Sequence, residues 1–441
     1  MQNLTPQKAP ELLFNTVGSS YAYAVNCSYP NSFRLLNRRQ YEILQAVNGR
    51  DDVQAIAERI GIESETLERF LLLLSKTEIV SFGSRFSIPQ KPAAPKSLNF
   101  WVHTTNACNL GCSYCYISTL NTGKGMTEAV RQRLLYKMTE AAQAKGIRHI
   151  RLRLAGGEPM GQFGAWKSFV PEAKRALADV GCKFDLGFVT NLTMLTDEII
   201  AFSRQHGIGY GVSLDGVEAT HDATRSFRSG CGSFGIVDAN LRKLIAEGIA
   251  VSVNTVVTNL NLTGLPDLTR YLIDLNIPFR YSIVKGGQID AALLDECLSA
   301  SYAIMQEAIA EGWQFSKRYQ FCDLKPNDLG FQTCASGFSG GAIYIDGTFK
   351  YCHVQFGEDD KNGFNQTIFN EELDLVDMID AGEHQEDQKS DDCKKCRYRA
   401  VCTSGCPVYR VDGKDPQCSL YHRFIPKYYE LQAKERLYLL R

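Results

Sequence analysis

The chain has 441 residues, 44% hydrophobic and 22% charged, with a formal net charge of -1: enough apolar sequence for two or three cores, and no basic field for nucleic acid or an anionic membrane. No stretch reaches the roughly 18 uninterrupted apolar residues of a membrane span, and MQNLTPQKAPELL lacks the charged-then-apolar order of a secretory signal, so a cytoplasmic protein with no membrane partner is expected. Fifteen cysteines in a reducing compartment point to metal or redox chemistry rather than a disulfide scaffold.

In chain order, YAYAVNCSY and SFRLLN read as strands joined at Pro30-Asn31. Apolar residues at Tyr41, Leu44 and Val47, at Ile56 and Ile60, and at Leu67, Phe70, Leu71 and Leu74 then recur at helical spacing. Gly49 and Gly61 punctuate that stretch and Ile79 to Phe82 reads as a closing strand, so residues 1–88 form a small module of strands followed by three helices. PQKPAAPKS, 89–97, is a Pro-rich linker.

Beyond the linker, LNFWVHTT, IRHIRLRLAGG, FDLGFVTN, IGYGVSLDG, AVSVNTVVT and FRYSIV read as strands. Helical patterns fit between them at Thr127–Lys145, Ala165–Val180, Thr196–His206, Gly235–Glu247 and Leu265–Leu275. Such alternation predicts an α/β domain over 98–315, a parallel sheet with helices outside and functional groups at the carboxyl ends of the strands. The last segment, 316–441, holds most of the remaining cysteines. Cys27, Cys182, Cys231 and Cys297 stand alone and read as small buried hydrophobes.

ACNLGCSYCY, just after the first α/β strand, offers three thiolates, Cys108, Cys112 and Cys115. Three thiolates leave one iron of a 4Fe-4S cube open to a substrate or cofactor. A zinc site would want four closed ligands, or three plus water with His or carboxylate commonly among them, and a bacterial ferredoxin would want a nearby fourth cysteine. The Cys-x3-Cys-x2-Cys spacing, with Tyr114 before the last cysteine, resembles the radical S-adenosylmethionine (radical SAM) superfamily. That resemblance implies that the open iron chelates the amino and carboxylate groups of SAM and that an electron from the cluster yields a 5'-deoxyadenosyl radical. Gly156, Gly157, Glu158 and Pro159 resemble the superfamily's glycine motif, whose backbone contacts the methionine amino group; an ordinary turn is the plainer alternative. Ser213 and Asp215 in VSLDG, and Arg225 closing HDATR, resemble the segment where related enzymes bind SAM; a solvated surface arginine is the alternative. Thr190 and Asn191, ending FVTN, are expected in the same pocket or as a helix cap.

The later cysteines resemble the seven-cysteine SPASM pattern: Cys352 after GTFKY, then Cys393-x2-Cys396-x5-Cys402-x3-Cys406 and Cys418. The resemblance implies two auxiliary 4Fe-4S clusters, making three in all. Cys334, Cys352 and Cys406 would hold the first, with Cys322 as a candidate fourth ligand, and Cys393, Cys396, Cys402 and Cys418 the second. Two structural zinc sites are the alternative. The N-terminal module resembles the recognition element of enzymes that modify ribosomally made peptides, which holds a leader peptide as an added strand; a winged-helix DNA-binding module has a similar pattern, but Arg50 to Glu65 carries little excess positive charge.

The expected fold is thus a partial (β/α)6 radical SAM barrel with an N-terminal winged-helix-like recognition domain and a C-terminal iron-sulfur SPASM domain. The expected function is a peptide maturase that abstracts a hydrogen from a core residue and installs a thioether or carbon-carbon cross-link, fed by a reductant such as flavodoxin or ferredoxin. Sulfatase-maturating relatives are expected to carry an aspartate base directly after the cysteine that matches Cys352; here His353 stands there as a candidate proton acceptor. Formylglycine formation, epimerisation, backbone excision and a non-catalytic iron-sulfur redox sensor are the alternatives.

Overall fold

The computed structural model describes residues 4–86, 91–117, 123–356, 366–382 and 388–440. Strands β1 (Gln7–Lys8), β2 (Leu12–Val17), β3 (Tyr21–Asn26) and β4 (Arg34–Asn37) precede helices α1 (Arg38–Ala46), α2 (Val53–Ile60), α3 (Ser64–Ser75) and strand β5 (Val80–Ser81). An antiparallel sheet runs β2-β3-β4, and β5 closes on β1. The helices begin where polar side chains satisfy free backbone N–H groups: Asn37 and Gln40 form a capping box, and Asp52 accepts from Ala55 N. Gly61 ends α2 at φ 65, a left-handed position that suits glycine.

The sequence pattern missed β1 and β2, and the burial of β2 shows why. Leu12, Ala22, Ala24 and Leu36 pack with Leu44, Ile56 and Leu71 of the module's own helices. Leu13, Tyr23, Val25 and Phe33, on the other face, join the core of the rest of the chain. Leu12 and Leu13 of β2, neighbours on opposite faces, are therefore both buried, so the start of that strand does not alternate polar with apolar.

The next domain alternates as expected: β6 (Ser97–Thr105), α4 (Glu128–Ala144), β7 (His149–Gly156), α5 (Phe163–Asp179), β8 (Lys183–Thr190), α6 (Asp197–His206), β9 (Gly209–Ser213), α7 (Ala219–Asp222), α8 (Phe234–Ala246), β10 (Val251–Val257), α9 (Leu265–Asp274) and β11 (Phe279–Ile283). These six strands are parallel and lie in chain order, with β6 and β11 unpaired to each other, so the barrel is open. The linker expected at 89–97 begins outside the described residues, and β6 starts at its last position.

The remaining segment extends the same sheet at both ends. After α10 (Ala291–Ala310) and α11 (Phe315–Arg318), β12 (Tyr319–Phe321) pairs with β11, while β13 (Gly340–Ile343) pairs with β6 and continues into β14 (Thr348–Lys350) and β15 (Gln366–Thr367). Short helices α12 (Leu375–Asp380), α13 (Asp391–Lys395) and α14 (Arg399–Cys402) lead to the long α15 (Cys418–Tyr438). The N-terminal sheet docks on α15: Tyr23 OH donates to the Pro426 carbonyl at 3.2 Å, and Phe33 stacks on Tyr429. No helix among the described residues is long and apolar enough to cross a membrane.

Each barrel strand has two unlike faces. Ile150, Leu152 and Leu154 of β7 and Phe184, Leu186 and Phe188 of β8 are buried in the core, while Arg151, Arg153, Asp185 and Gly187 alternate with them toward the lumen.

Candidate active site

The chain leaves β6 and turns through the Cys108–Cys115 loop, which is gripped from two sides. On one side Gly157 N donates to Thr105 O at 2.7 Å and Glu158 N to Ala107 O at 2.8 Å. The approach is so close that a Cβ on Gly157 would lie 2.0 Å from Ala107 O, and Gly156 combines a φ of +128 with a Cβ position 2.5 Å from Thr105 O. On the other side Gly111 N donates to Ser226 O at 2.9 Å and Ser113 N to Thr224 O at 3.1 Å.

Two buried carboxylates stand behind this loop. Glu158 accepts from Thr190 Oγ1 at 2.6 Å and Met160 N at 3.0 Å through one oxygen, and from Asn191 N at 2.8 Å through the other. Burial still pushes its carboxyl pKa up, against those three donors. Asp215, with no exposed surface, accepts from Val256 N at 2.9 Å, Arg225 Nε at 2.7 Å, Thr224 Oγ1 and Tyr114 OH. These contacts aim donors at the thiols: Arg225 Nη1 lies 3.6 Å from Cys112 Sγ, and Asn191 Nδ2 lies 3.7 Å from Cys108 Sγ. The guanidinium also sits 5.4 Å above the Tyr114 ring.

A cavity of about 670 Å³ opens in front of the loop. Cys108, Cys112 and Cys115, Gly156 and Gly157, Thr190 and Asn191, Ser213 and Arg225 all line it. Glu158, Pro159 and Asp215 do not; the two carboxylates lie behind its wall, and Pro159 is buried at the start of a 3-10 turn, Pro159–Gln162. The opposite wall comes from the C-terminal segment: His353, Val354 and Tyr409. The His353 ring stacks on Trp101 at 4.0 Å, and its Nδ1 pairs with Tyr116 OH at 2.9 Å. Burial holds the imidazole pKa down at about 3.

The later thiols fall into two electrostatic neighbourhoods. Burial first, then the nearby Cys334 and Cys406, raise the pKa of Cys352. Burial likewise raises Cys402 and Cys418, with Cys393 near both and Cys396 near Cys418. Cys396 Sγ also lies 3.5 Å from His422 Nε2. Cys322 is 2% exposed, holds an uncommon φ of 48 and has Lys285, Asp323 and Tyr421 as its charged and polar surroundings. Every one of these cysteines is free. Among the described residues no three His, Cys, Asp or Glu side chains converge on a single-ion site. A four-iron cube takes thiolates at separate corners and does not ask for that convergence, so soft donors in groups of three and four suit it. Buried thiols with raised pKa values give up their protons when metal charge replaces them.

Of the isolated cysteines, Cys27, Cys182 and Cys297 are buried as expected, but Cys231 is exposed. It sits between Gly230 and Gly232, where its carbonyl accepts from Phe227 N at 2.9 Å in a surface turn and its side chain has no core to enter. Sequence reasoning did not single out Trp101, Arg153, Asn254, Arg280, Lys285 and Tyr409 on the cavity wall. The alternating Arg151-Leu152-Arg153-Leu154 carried a usable signal, because a strand whose apolar residues face the helices must turn its arginines inward.

Residues 102–271 match the Radical SAM superfamily. The chain is 24% identical over 359 residues to a serine-type anaerobic sulfatase-maturating enzyme of Klebsiella aerogenes, covering 77% of this chain and 84% of that protein. It is 28% identical over 258 residues to the sporulation killing factor maturation protein SkfB of Bacillus subtilis, covering 57% of this chain and 59% of that one. In fold it is similar to Streptococcus suis SuiB bound to S-adenosylmethionine, with a TM-score of 0.51 at 15% identity, over 93% of this chain and 99% of that chain.

Proposed function

We propose that this chain, which carries a radical SAM domain, is a maturase that cross-links a ribosomally made precursor peptide through a thioether or a carbon-carbon bond. The observation that carries this reading is the shared cavity: the Cys108–Cys115 loop forms one wall and the cysteine-rich C-terminal segment another. A peptide side chain in it would lie between a site for SAM and a site for surplus electrons.

Radical SAM enzymes use SAM and a 4Fe-4S cluster, which here would be held by Cys108, Cys112 and Cys115 and would supply hydrogen abstraction from an unactivated carbon. The chain's own residues have simpler tasks. Gly156 and Gly157 fix the loop backbone, and Thr190, Asn191, Ser213 and Arg225 present polar groups to the SAM side of the cavity. Glu158 and Asp215 are positioning residues, since they hold Thr190, Asn191 and Arg225, which face the loop. Cys334, Cys352 and Cys406 with Cys322, and Cys393, Cys396, Cys402 and Cys418, are the ligand sets for two auxiliary clusters. We assign His353 to the wall rather than to proton transfer, because its ring is held flat on Trp101 and its Nδ1 is engaged by Tyr116. The aromatic wall excludes water from a carbon radical.

Leader binding fits the N-terminal module. Among the described residues strand β4 lies at the sheet edge and pairs with β3 alone, which leaves a backbone edge for an added peptide strand.

The test is mass spectrometry of a precursor encoded beside this chain, after anaerobic incubation with cluster-loaded protein, SAM and reductant. Loss of two hydrogens, localised to a residue pair, is the expected result. An unchanged precursor with 5'-deoxyadenosine accumulating would overturn cross-linking. The sulfatase-maturating relative supports formylglycine formation as a second reading; conversion of a sulfatase-derived peptide to an aldehyde in the same assay would favour it.

A further inference from the structure

The cavity wall carries five cations, Arg153, Arg225, Arg228, Arg280 and Lys285, and neither Asp nor Glu. Four of them have partners behind the wall or on it. Asp215 holds Arg225, Asp323 lies 2.6 Å from Arg280 and 3.6 Å from Lys285, and Arg228 donates to Cys108 O at 3.0 Å. Arg153 differs. Although exposed within the lumen, it pairs with no carboxylate among the described residues.

Its surroundings are built to receive an acceptor. In register across the sheet, Arg153 stands between Trp101 of β6 and Gly187 of β8, and Gly187 faces Gly209 of β9. The two positions next to it in register on that side therefore carry no side chain. Trp101 Nε1 and Arg280 Nε are both buried without an acceptor. Burial, with Arg151 and Arg280 nearby, also holds the Arg153 pKa below the usual arginine value, as expected of a cation lacking its counter-charge. Water can hydrate this guanidinium, but its planar fork matches a carboxylate better than any group now beside it.

We propose that Arg153 binds a carboxylate of the substrate peptide, so that an acidic residue enters the cavity at or next to the modified position. This assignment rests on the peptide-maturase reading for its choice of ligand. The methionyl carboxylate of SAM offers the same chemistry, and the test separates the two.

Full-length, cluster-loaded protein is saturated with SAM in the absence of reductant and titrated calorimetrically with Ac-Gly-Asp-Gly-NH2 and its isostere Ac-Gly-Asn-Gly-NH2. The aspartyl peptide is expected to bind about tenfold more tightly, the preference to vanish in Arg153→Gln and to return in part in Arg153→Lys. Equal affinities in the unmodified protein, or a preference that survives Arg153→Gln, overturns the proposal. A tenfold loss of SAM affinity in Arg153→Gln, with the peptide preference intact, places the SAM carboxylate there and overturns it as well. Failure of the maturase reading looks different: no precursor is modified, while the aspartyl preference persists.

Discussion

Cys108, Cys112 and Cys115 sit within eight residues, on a loop gripped by Gly157 and Glu158 on one side and Thr224 and Ser226 on the other. The later cysteines come from segments as far apart as β14 and α15, joined by short helices of four to six residues. The first region is held by backbone hydrogen bonds and close glycine contacts. The second has little regular structure to lean on, so ligands that join distant segments would contribute to the fold itself.

The sharpest way to break this comparison is a pair of substitutions. Cys112→Ala is expected to abolish 5'-deoxyadenosine formation while leaving the thermal midpoint nearly unchanged. Cys402→Ala is expected to lower the midpoint by roughly 5 °C or more. Calorimetric scans of both cluster-loaded proteins check this, and equal midpoints would erase the contrast.

Next in size is the buried pair behind the first loop. Asp215→Asn removes the counter-charge of Arg225, whose side chain is 11% exposed, and is expected to cost about 3 kcal/mol in denaturant unfolding because a buried charge is left unpaired. SAM cleavage should fall with it, since Arg225 loses its hold beside Cys112. Gly157→Ala places a methyl against the Ala107 carbonyl, and a cost of about 2–3 kcal/mol is expected from the forced backbone shift. A variant with unaltered stability would mean that the grip on the loop is loose.

The smallest effect concerns acid. His221 has no exposed surface; its Nδ1 accepts from Asp215 N, and burial holds its pKa down at about 4. The unfolded chain takes up this proton near pH 6.5 and the folded protein does not, so stability present at neutral pH is lost as the pH falls toward 4. Between pH 7 and 5 the loss is expected to be about 2 kcal/mol, and His221→Gln should flatten that slope in urea titrations.

Much of this molecule was legible from its residues in order. Strand-helix alternation placed five barrel helices with ends within two residues of those observed, because Thr127 and Thr196 cap α4 and α6 and glycines close several turns. Local spacing alone set the three-cysteine loop and the glycine motif, since both act within a single turn of chain. The roles of Glu158 and Asp215 were not legible: each looked like a residue that touches ligand, and each instead accepts hydrogen bonds from segments 30 or more residues away in sequence.

The sequence by itself determined the order of elements, the cysteine spacings and the absence of strong net charge, because these depend on residue type and near neighbours. Only the tertiary structure decided which cations find carboxylates, and how His353 and Tyr409 come to close a cavity begun at Cys108. Those outcomes depend on sheet register and on contacts between distant segments, which no local pattern encodes.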